Sequence, residues 1–206
     1  MKVNGIFNRR RAGRAPLRHS RLVLAAVAAL GVAALAAPPR AAQKATAPAQ
    51  RWTLTHAVLT YHASDALHPV TGISTAARGE GECLNGSCSF LAAAPVKSFA
   101  SGDTNRDLHM LQSVRGGAFP LVEVRTVVAA ADLHPGTLDA DLEVQFGGQT
   151  ARYPQVRFQI ASQGTGLRLT GTIPAQLSDF KITPPEFLFI KIQNAIPVDV
   201  DLSWQH

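Results

Sequence analysis

The sequence predicts an all-β domain: seven or eight antiparallel strands closed into an eight-stranded barrel, with one short helix. Three observations predict it. From Thr137 to Phe146, Leu138, Ala140, Leu142, Val144 and Phe146 alternate strictly with Thr137, Asp139, Asp141, Glu143 and Gln145. That period of two belongs to a strand with one face buried and one in water. The same alternation returns in the other segments between Gly-rich turns, and only Ser101 to Leu111 carries helix signals. A sheet that buries one face keeps two sticky edges unless it closes on itself. A two-sheet sandwich shares the alternation, but the intervening helix and the longer later strands favour the barrel.

The chain opens with a different kind of sequence. Met1 to Arg21 holds Lys2, Arg9, Arg10, Arg11, Arg14, Arg18 and Arg21 with no acidic residue, and Leu22 to Ala37 is an unbroken run of Ala, Val, Leu and one Gly. Sixteen residues fall short of the roughly 20 that a spanning helix needs. Ala34-Leu35-Ala36 supplies the small residues of a cleavage site, so residues 1–37 read as a secretory signal peptide. An uncleaved anchor is the alternative, and it too leaves the rest outside the cytoplasm. The arginines stand too far from the apolar run to favour a twin-arginine route.

Removing the leader changes the charge. The whole chain carries +6, but seven of its twenty Lys and Arg residues belong to the leader, which leaves thirteen against fourteen acidic residues. A mature chain near neutrality lacks the basic footprint of a nucleic-acid-binding domain. Residues 38–50, rich in Pro, Ala and Gln, have no periodicity and read as a disordered tether. Residues 51–206 then suit one domain with one core.

In order, the first strand begins at Trp52, with Trp52, Leu54, His56 and Val58 on one face and Thr53, Thr55, Ala57, Leu59 and Tyr61 on the other. Gly72 to Cys83 is polar and Gly-rich, and Cys88 to Val96 returns as the second arm of a hairpin. Between the only two cysteines, Leu84-Asn85-Gly86-Ser87 centres on Asn-Gly, the dipeptide that suits a two-residue type I′ turn. With that turn Cys83 faces Cys88 in a non-hydrogen-bonded pair, whose Cα atoms approach to about 4.5 Å. Export and spacing together favour a disulfide over a free thiol pair or a two-ligand metal fragment. So short a loop gains little from cross-linking, and the bridge would serve local register.

Four more strands follow the helix segment and precede the end. Phe119 to Ala130 sets Val122, Val124, Thr126 and Val128 against Glu123, Arg125 and Val127. After the Thr137 strand, Gly147-Gly148 turns the chain into Tyr153 to Ala161, where Val156, Phe158 and Ile160 oppose Arg157 and Gln159. Gly164 to Gly166 turns it again into Leu167, Leu169, Gly171 and Ile173. Val198, Val200, Leu202 and Trp204 against Asp199 and Asp201 close the series.

In Ser101 to Leu111, Asp103 is a good N-cap and Asp107 sits where the positive helix end favours a carboxylate. Leu108 and Leu111 share a short apolar face. Arg106, three residues past Asp103, is in reach of a local ion pair. The pattern Gly102, Asp103, Asn105, Arg106, Asp107, then His109 and Met110, resembles the GNxxRDxHM segment of the YceI-like family of secreted bacterial lipocalin-like barrels. His68 with Gly72 upstream, Asp179-Phe180-Lys181-Ile182, Pro184-Pro185 and the run from Ile196 to Leu202 extend the likeness over Trp52 to Trp204. The Cys83 to Cys88 hairpin is not general in that family, and no distinctive carboxamide ligand contact stands out.

The resemblance implies a barrel enclosing an apolar tunnel for a long isoprenoid or other lipid chain. The residues expected to line it are Val122, Val124, Leu138, Leu142, Val144, Phe146, Val156, Phe158, Leu167 and Leu169; the plainer reading of each is ordinary core. Asp103, Arg106 and Asp107 are expected to form a structural ion pair tying the helix to the barrel. His62, His68 and His109 with Asp107 and Arg106 are the residues most like a catalytic or metal group. Spacing does not force them together, so no catalytic residue, metal or cofactor is assigned. The expected function is a periplasmic or secreted carrier for an amphiphilic lipid, without a membrane span in the mature chain, either as a monomer or as a homodimer. An enzyme working on such a lipid in the same cavity, or a ligand-free stress-related interaction module with a filled core, are the alternatives.

Overall fold

Nine strands hydrogen-bond into one antiparallel sheet in the order β11-β8-β7-β6-β5-β4-β3-β1-β2, and β11 returns to pair with β1. In this computed structural model the strands are β1 Gln50–Ser64, β2 Pro69–Ser74, β3 Arg78–Leu84, β4 Ser87–Pro95, β5 Leu121–Ala129, β6 Gly136–Phe146, β7 Gln149–Gln163, β8 Gly166–Ile173 and β11 Val198–Gln205. A separate ribbon, β9 Glu186–Phe187 with β10 Ile190–Lys191, interrupts the passage from β8 to β11. The described residues are 49–64, 69–184, 186–187 and 190–206. The predicted leader, most of the predicted tether, His68 and Pro185 lie outside them.

β2 and β3 pair with the same edge of β1, Leu59 opposite Ser74 and Thr53 opposite Glu80, in one register. They are two halves of a single broken strand. Counted so, the closed barrel has eight strands, an up-and-down meander that removes the edges an open sheet would expose. Among the described residues no helix is long and apolar enough to cross a membrane.

Turn chemistry sets the hairpins. Asn85 and Gly86 both adopt positive φ, at 52° and 83°, which places Leu84 opposite Ser87 and Cys83 opposite Cys88. The two cysteines are joined, with their Cα atoms 3.9 Å apart. Gly147 and Gly148, at φ of 55° and 78°, turn β6 into β7.

Two bulges depart from simple alternation. In β1 the register against β11 slips between Leu54 and His56, and Thr55 Oγ1 donates to the Ser203 carbonyl at 3.1 Å. The slip reverses the faces: Trp52 and Leu54 point inward, then Ala57, Leu59 and Tyr61 do, so His56 and Val58 do not share the face of Trp52 and Leu54 that simple alternation predicts. In β7, Ala140 pairs with Val156 but Leu142 pairs with Tyr153, which gives β7 one extra residue around Pro154 and Gln155. Gln155 sits at φ of 50° and its N–H donates to Asp141 Oδ1 at 2.9 Å. A proline inside a central strand is tolerated at such a bulge. This is why β7 starts at Gln149, ahead of the predicted Tyr153. β6 carries no extra residue and keeps its strict alternation.

The outer wall bears cross-strand ion pairs, Arg157 with Asp139 at 2.9 Å, Arg152 with Glu143 at 3.1 Å and Arg168 with Asp201, and a His62 to Asp199 hydrogen bond at 2.7 Å. Arg157 holds the Asp139 carboxyl below the usual carboxylate range, Thr172 and then His62 do so for Asp199, and Arg168 does so for Asp201. A depressed carboxyl contributes stability above its unfolded pKa and loses it as pH falls through the folded value. Thermal melts are therefore expected to hold a plateau above about pH 4 and to fall below it. High salt should flatten the drop because the pairs are exposed. Asp139→Asn should remove part of it.

Candidate functional site

The inward side chains do not meet in the middle. They surround a cavity of about 690 Å³ that runs along the barrel. Its size falls in the range of roughly 300–1,000 Å³ typical of small-molecule sites. Val122, Val124, Leu138, Leu142, Val144, Phe146, Phe158, Leu167 and Leu169 all line it. Val156 is a correction: it is buried in the core but does not reach the cavity. It follows the β7 bulge directly, and the short turn Leu177–Phe180 packs against that strand.

Among the described residues, the polar lining side chains other than tryptophan are Tyr61, Asp103, Asn105, Arg106, His109, Ser113 and Thr126. Thr126 lies within the wall, and its hydroxyl is spent on the Asp141 carbonyl at 2.8 Å. No buried side-chain N or O among the described residues lacks a partner. Beyond these side chains and the two tryptophans, the described lining is apolar.

Tyr61 of β1 apart, the polar remainder gathers at one end, on the helix α1, Thr104–Ser113, and its cap. Asp103 accepts from the Arg106 N–H at 3.0 Å, as an N-cap should. That bond, above all, keeps its carboxyl below the usual range. Asp103, Asn105, Arg106 and His109 are the lining residues that are solvent-exposed, so the cavity opens beside α1. Arg106, His109, Met110 and Ser113, at helical spacing, all border it. The expected apolar face is used only in part: Leu111 packs against the core together with Met110 and Val114, while Leu108 is 52 % exposed. A helix set across a barrel end, rather than on a sheet, need not follow the amphipathic pattern of a packed helix.

The predicted ion pair among Asp103, Arg106 and Asp107 is also corrected. Arg106 Nε donates to Ser101 Oγ at 2.9 Å and its Nη2 to the Ser101 carbonyl at 3.1 Å. Asp107 Oδ1 accepts from the Ser101 hydroxyl at 2.6 Å and from its N–H at 3.0 Å. Both charges grip Ser101 instead of each other, because the helix turn brings the preceding backbone closer than the neighbouring side chain. Adjacent Ala100 exchanges two backbone bonds with Ile73 of β2, each 3.0 Å, which fastens this knot to the barrel. At the other end of α1, Arg115 donates to the Gly147 carbonyl and stacks over Phe119 at 5.2 Å.

Tyr61 lies near this rim, where burial and then Asp107 push its hydroxyl up while Arg106 opposes them. Of the other histidine candidates, His62 faces outward to Asp199 and does not converge with His109, and His68 lies outside the described residues. No cluster of three or more His, Cys, Asp or Glu suited to a metal occurs among the described residues.

The end away from α1 is shut by aromatic rings. Phe90 meets Trp204 edge to face at 5.0 Å and Trp52 at 6.2 Å, and all three line the cavity. Trp52 and Trp204 are only 6 % and 8 % exposed, which closes the cavity beneath them. Trp52 Nε1 donates to Cys83 Sγ at 3.3 Å and its ring stacks on His206. Sequence reasoning missed this floor and Tyr61. The signal available was the bare inner face of β3, whose small residues leave room for rings from other strands.

No family model and no curated protein sequence matches the chain. The fold does match solved structures. A polyisoprenoid binding domain from Saccharophagus degradans implicated in plant cell wall breakdown superposes with a TM-score of 0.59 at 14 % identity, covering 75 % of this chain and 97 % of that one. BcnA of Burkholderia cenocepacia gives 0.60 at 14 % identity, covering 71 % and 95 %. The chain therefore has the closed eight-stranded, lipocalin-like fold of these proteins.

Proposed function

We propose that this chain is a YceI-like protein that binds and carries a long-chain amphiphile of polyisoprenoid type outside the cytoplasm. The tail occupies the barrel and the head group rests beside α1. The observation that carries this reading is the cavity: apolar along its length, closed at the tryptophan end and polar only where it opens. Non-directional burial at roughly 25 cal/mol per Å² suits a greasy tail of repeating units, which asks for no polar contact. Asn105, Arg106 and His109 at the opening suit a polar head. The shared fold with a polyisoprenoid binding domain supports the same ligand class. The leader of residues 1–37 supports a periplasmic or secreted location.

Binding is favoured over catalysis on geometry. Acid–base work needs titratable groups within hydrogen-bond reach of one reacting atom, and here they sit at the rim or on the outer wall. A ligand-free interaction module is disfavoured by the hollow interior, since such a barrel would gain by filling it.

The protein carries its own reporter, because Trp52 and Trp204 are its only tryptophans and both stand at the floor. A fatty acid brominated at the end of its chain is expected to quench their fluorescence strongly, and one brominated beside the carboxyl to quench weakly. Equal quenching by both would reverse or abolish the proposed orientation. Absence of saturable binding by either would overturn the lipid-binding reading.

A further inference from the structure

Inward-facing positions of β3 are Ala77 just before it, then Gly79, Gly81 and Cys83, so this stretch of wall has almost no side chains of its own. Rings from other strands lie in the space. A Cβ on Gly81 would stand 2.4 Å from the ring of Phe90, its direct partner on β4, and one on Gly79 would stand 2.7 Å from the Trp204 ring. Two other directly opposed pairs repeat the device: Tyr61 over Gly72 and Phe158 over Gly171, with the built Cβ 2.2 and 2.5 Å from the rings. Directly opposed residues share one face of a sheet. Each ring therefore fills the recess its glycine leaves, and lies along the wall instead of projecting across the bore.

We infer that the Gly81–Phe90 pair is a depth gauge: it sets how long a chain the cavity accepts, by holding the floor ring back against β3. The inference rests on the proposal that a lipid tail fills the barrel, and it adds which residues select its length. With a methyl at position 81 the ring cannot stay where it is, since contacts under 3.0 Å are not sustained and the β3 backbone stands behind it. Its open direction is into the cavity. Each methylene that is denied burial forfeits about fourfold in affinity.

The test is displacement of cis-parinaric acid from the folded protein by saturated fatty alcohols, from decanol to docosanol. Gly81→Ala is expected to lower affinity for the longest alcohols about tenfold or more relative to decanol, shifting the preferred length downward. Phe90→Leu, which shortens the floor side chain, should shift it upward, and it decides the matter if Gly81→Ala does not fold. A wild-type protein that binds the series while neither variant moves the length profile would overturn the gauge and leave the carrier reading standing. A wild-type protein that binds no alcohol and no cis-parinaric acid would overturn both.

Discussion

Ala140→Phe is expected to abolish the binding of long-chain alcohols, by on the order of a hundredfold or more, while the protein still folds with near wild-type stability. Ala140 is 4 % exposed, sits in the middle of β6 and lines the cavity. In a filled core, an added ring would overpack its neighbours at a cost of typically 1–3 kcal/mol. In a hollow barrel the ring enters empty space, gains burial and takes the volume of several methylenes. Displacing about four of them costs roughly fourfold each. Urea unfolding and cis-parinaric acid titration on the same sample separate the two cases. A variant that unfolds would mean that the interior is packed, and one that binds normally would mean that the ligand lies elsewhere.

Phe180→Ala should produce the largest loss of stability, about 3 kcal/mol or more. Phe180 is 1 % exposed, meets Phe146 edge to face at 5.3 Å, and closes the turn Leu177–Phe180. That turn is held independently. Gln176 and Asp179 form a reciprocal cap, and the Tyr153 hydroxyl donates to Asp179 Oδ2 at 2.7 Å; burial, and then this bond, push the phenol well up from its ordinary value. Asn194 adds bonds to Gln176 and Ser178, each 2.8 Å. Because the turn cannot collapse inward, the space left by the ring stays open, and an uncollapsed cavity is what makes a large-to-small change expensive. The urea midpoint should drop by roughly 1 M or more. A loss under about 1 kcal/mol would mean that this segment contributes little to the core.

Legibility followed the range of the interactions. Strict alternation in β6 and β5 was readable because a half-buried strand imposes its period on the residues themselves. Asn85-Gly86 announced its hairpin, and so the cysteine pairing, because positive φ at two successive residues is a demand that few side chains meet. Asp103 announced its cap for a similarly local reason. The bulges did not show. An extra residue at Thr55 or Gln155 is defined only against the neighbouring strand, and the one at Thr55 took His56 and Val58 off the face of Trp52 and Leu54.

The sequence by itself determined an all-β chain with a capped helix, alternating strands and a cross-hairpin disulfide, since each follows from contacts between residues close along the chain. Only the tertiary structure decided that the barrel is hollow, that aromatic rings recline on glycines of adjacent strands, and that Arg106 and Asp107 share Ser101 rather than pair. Whether inward side chains touch across a barrel depends on its girth and on the register of every strand at once. No window of sequence contains that sum.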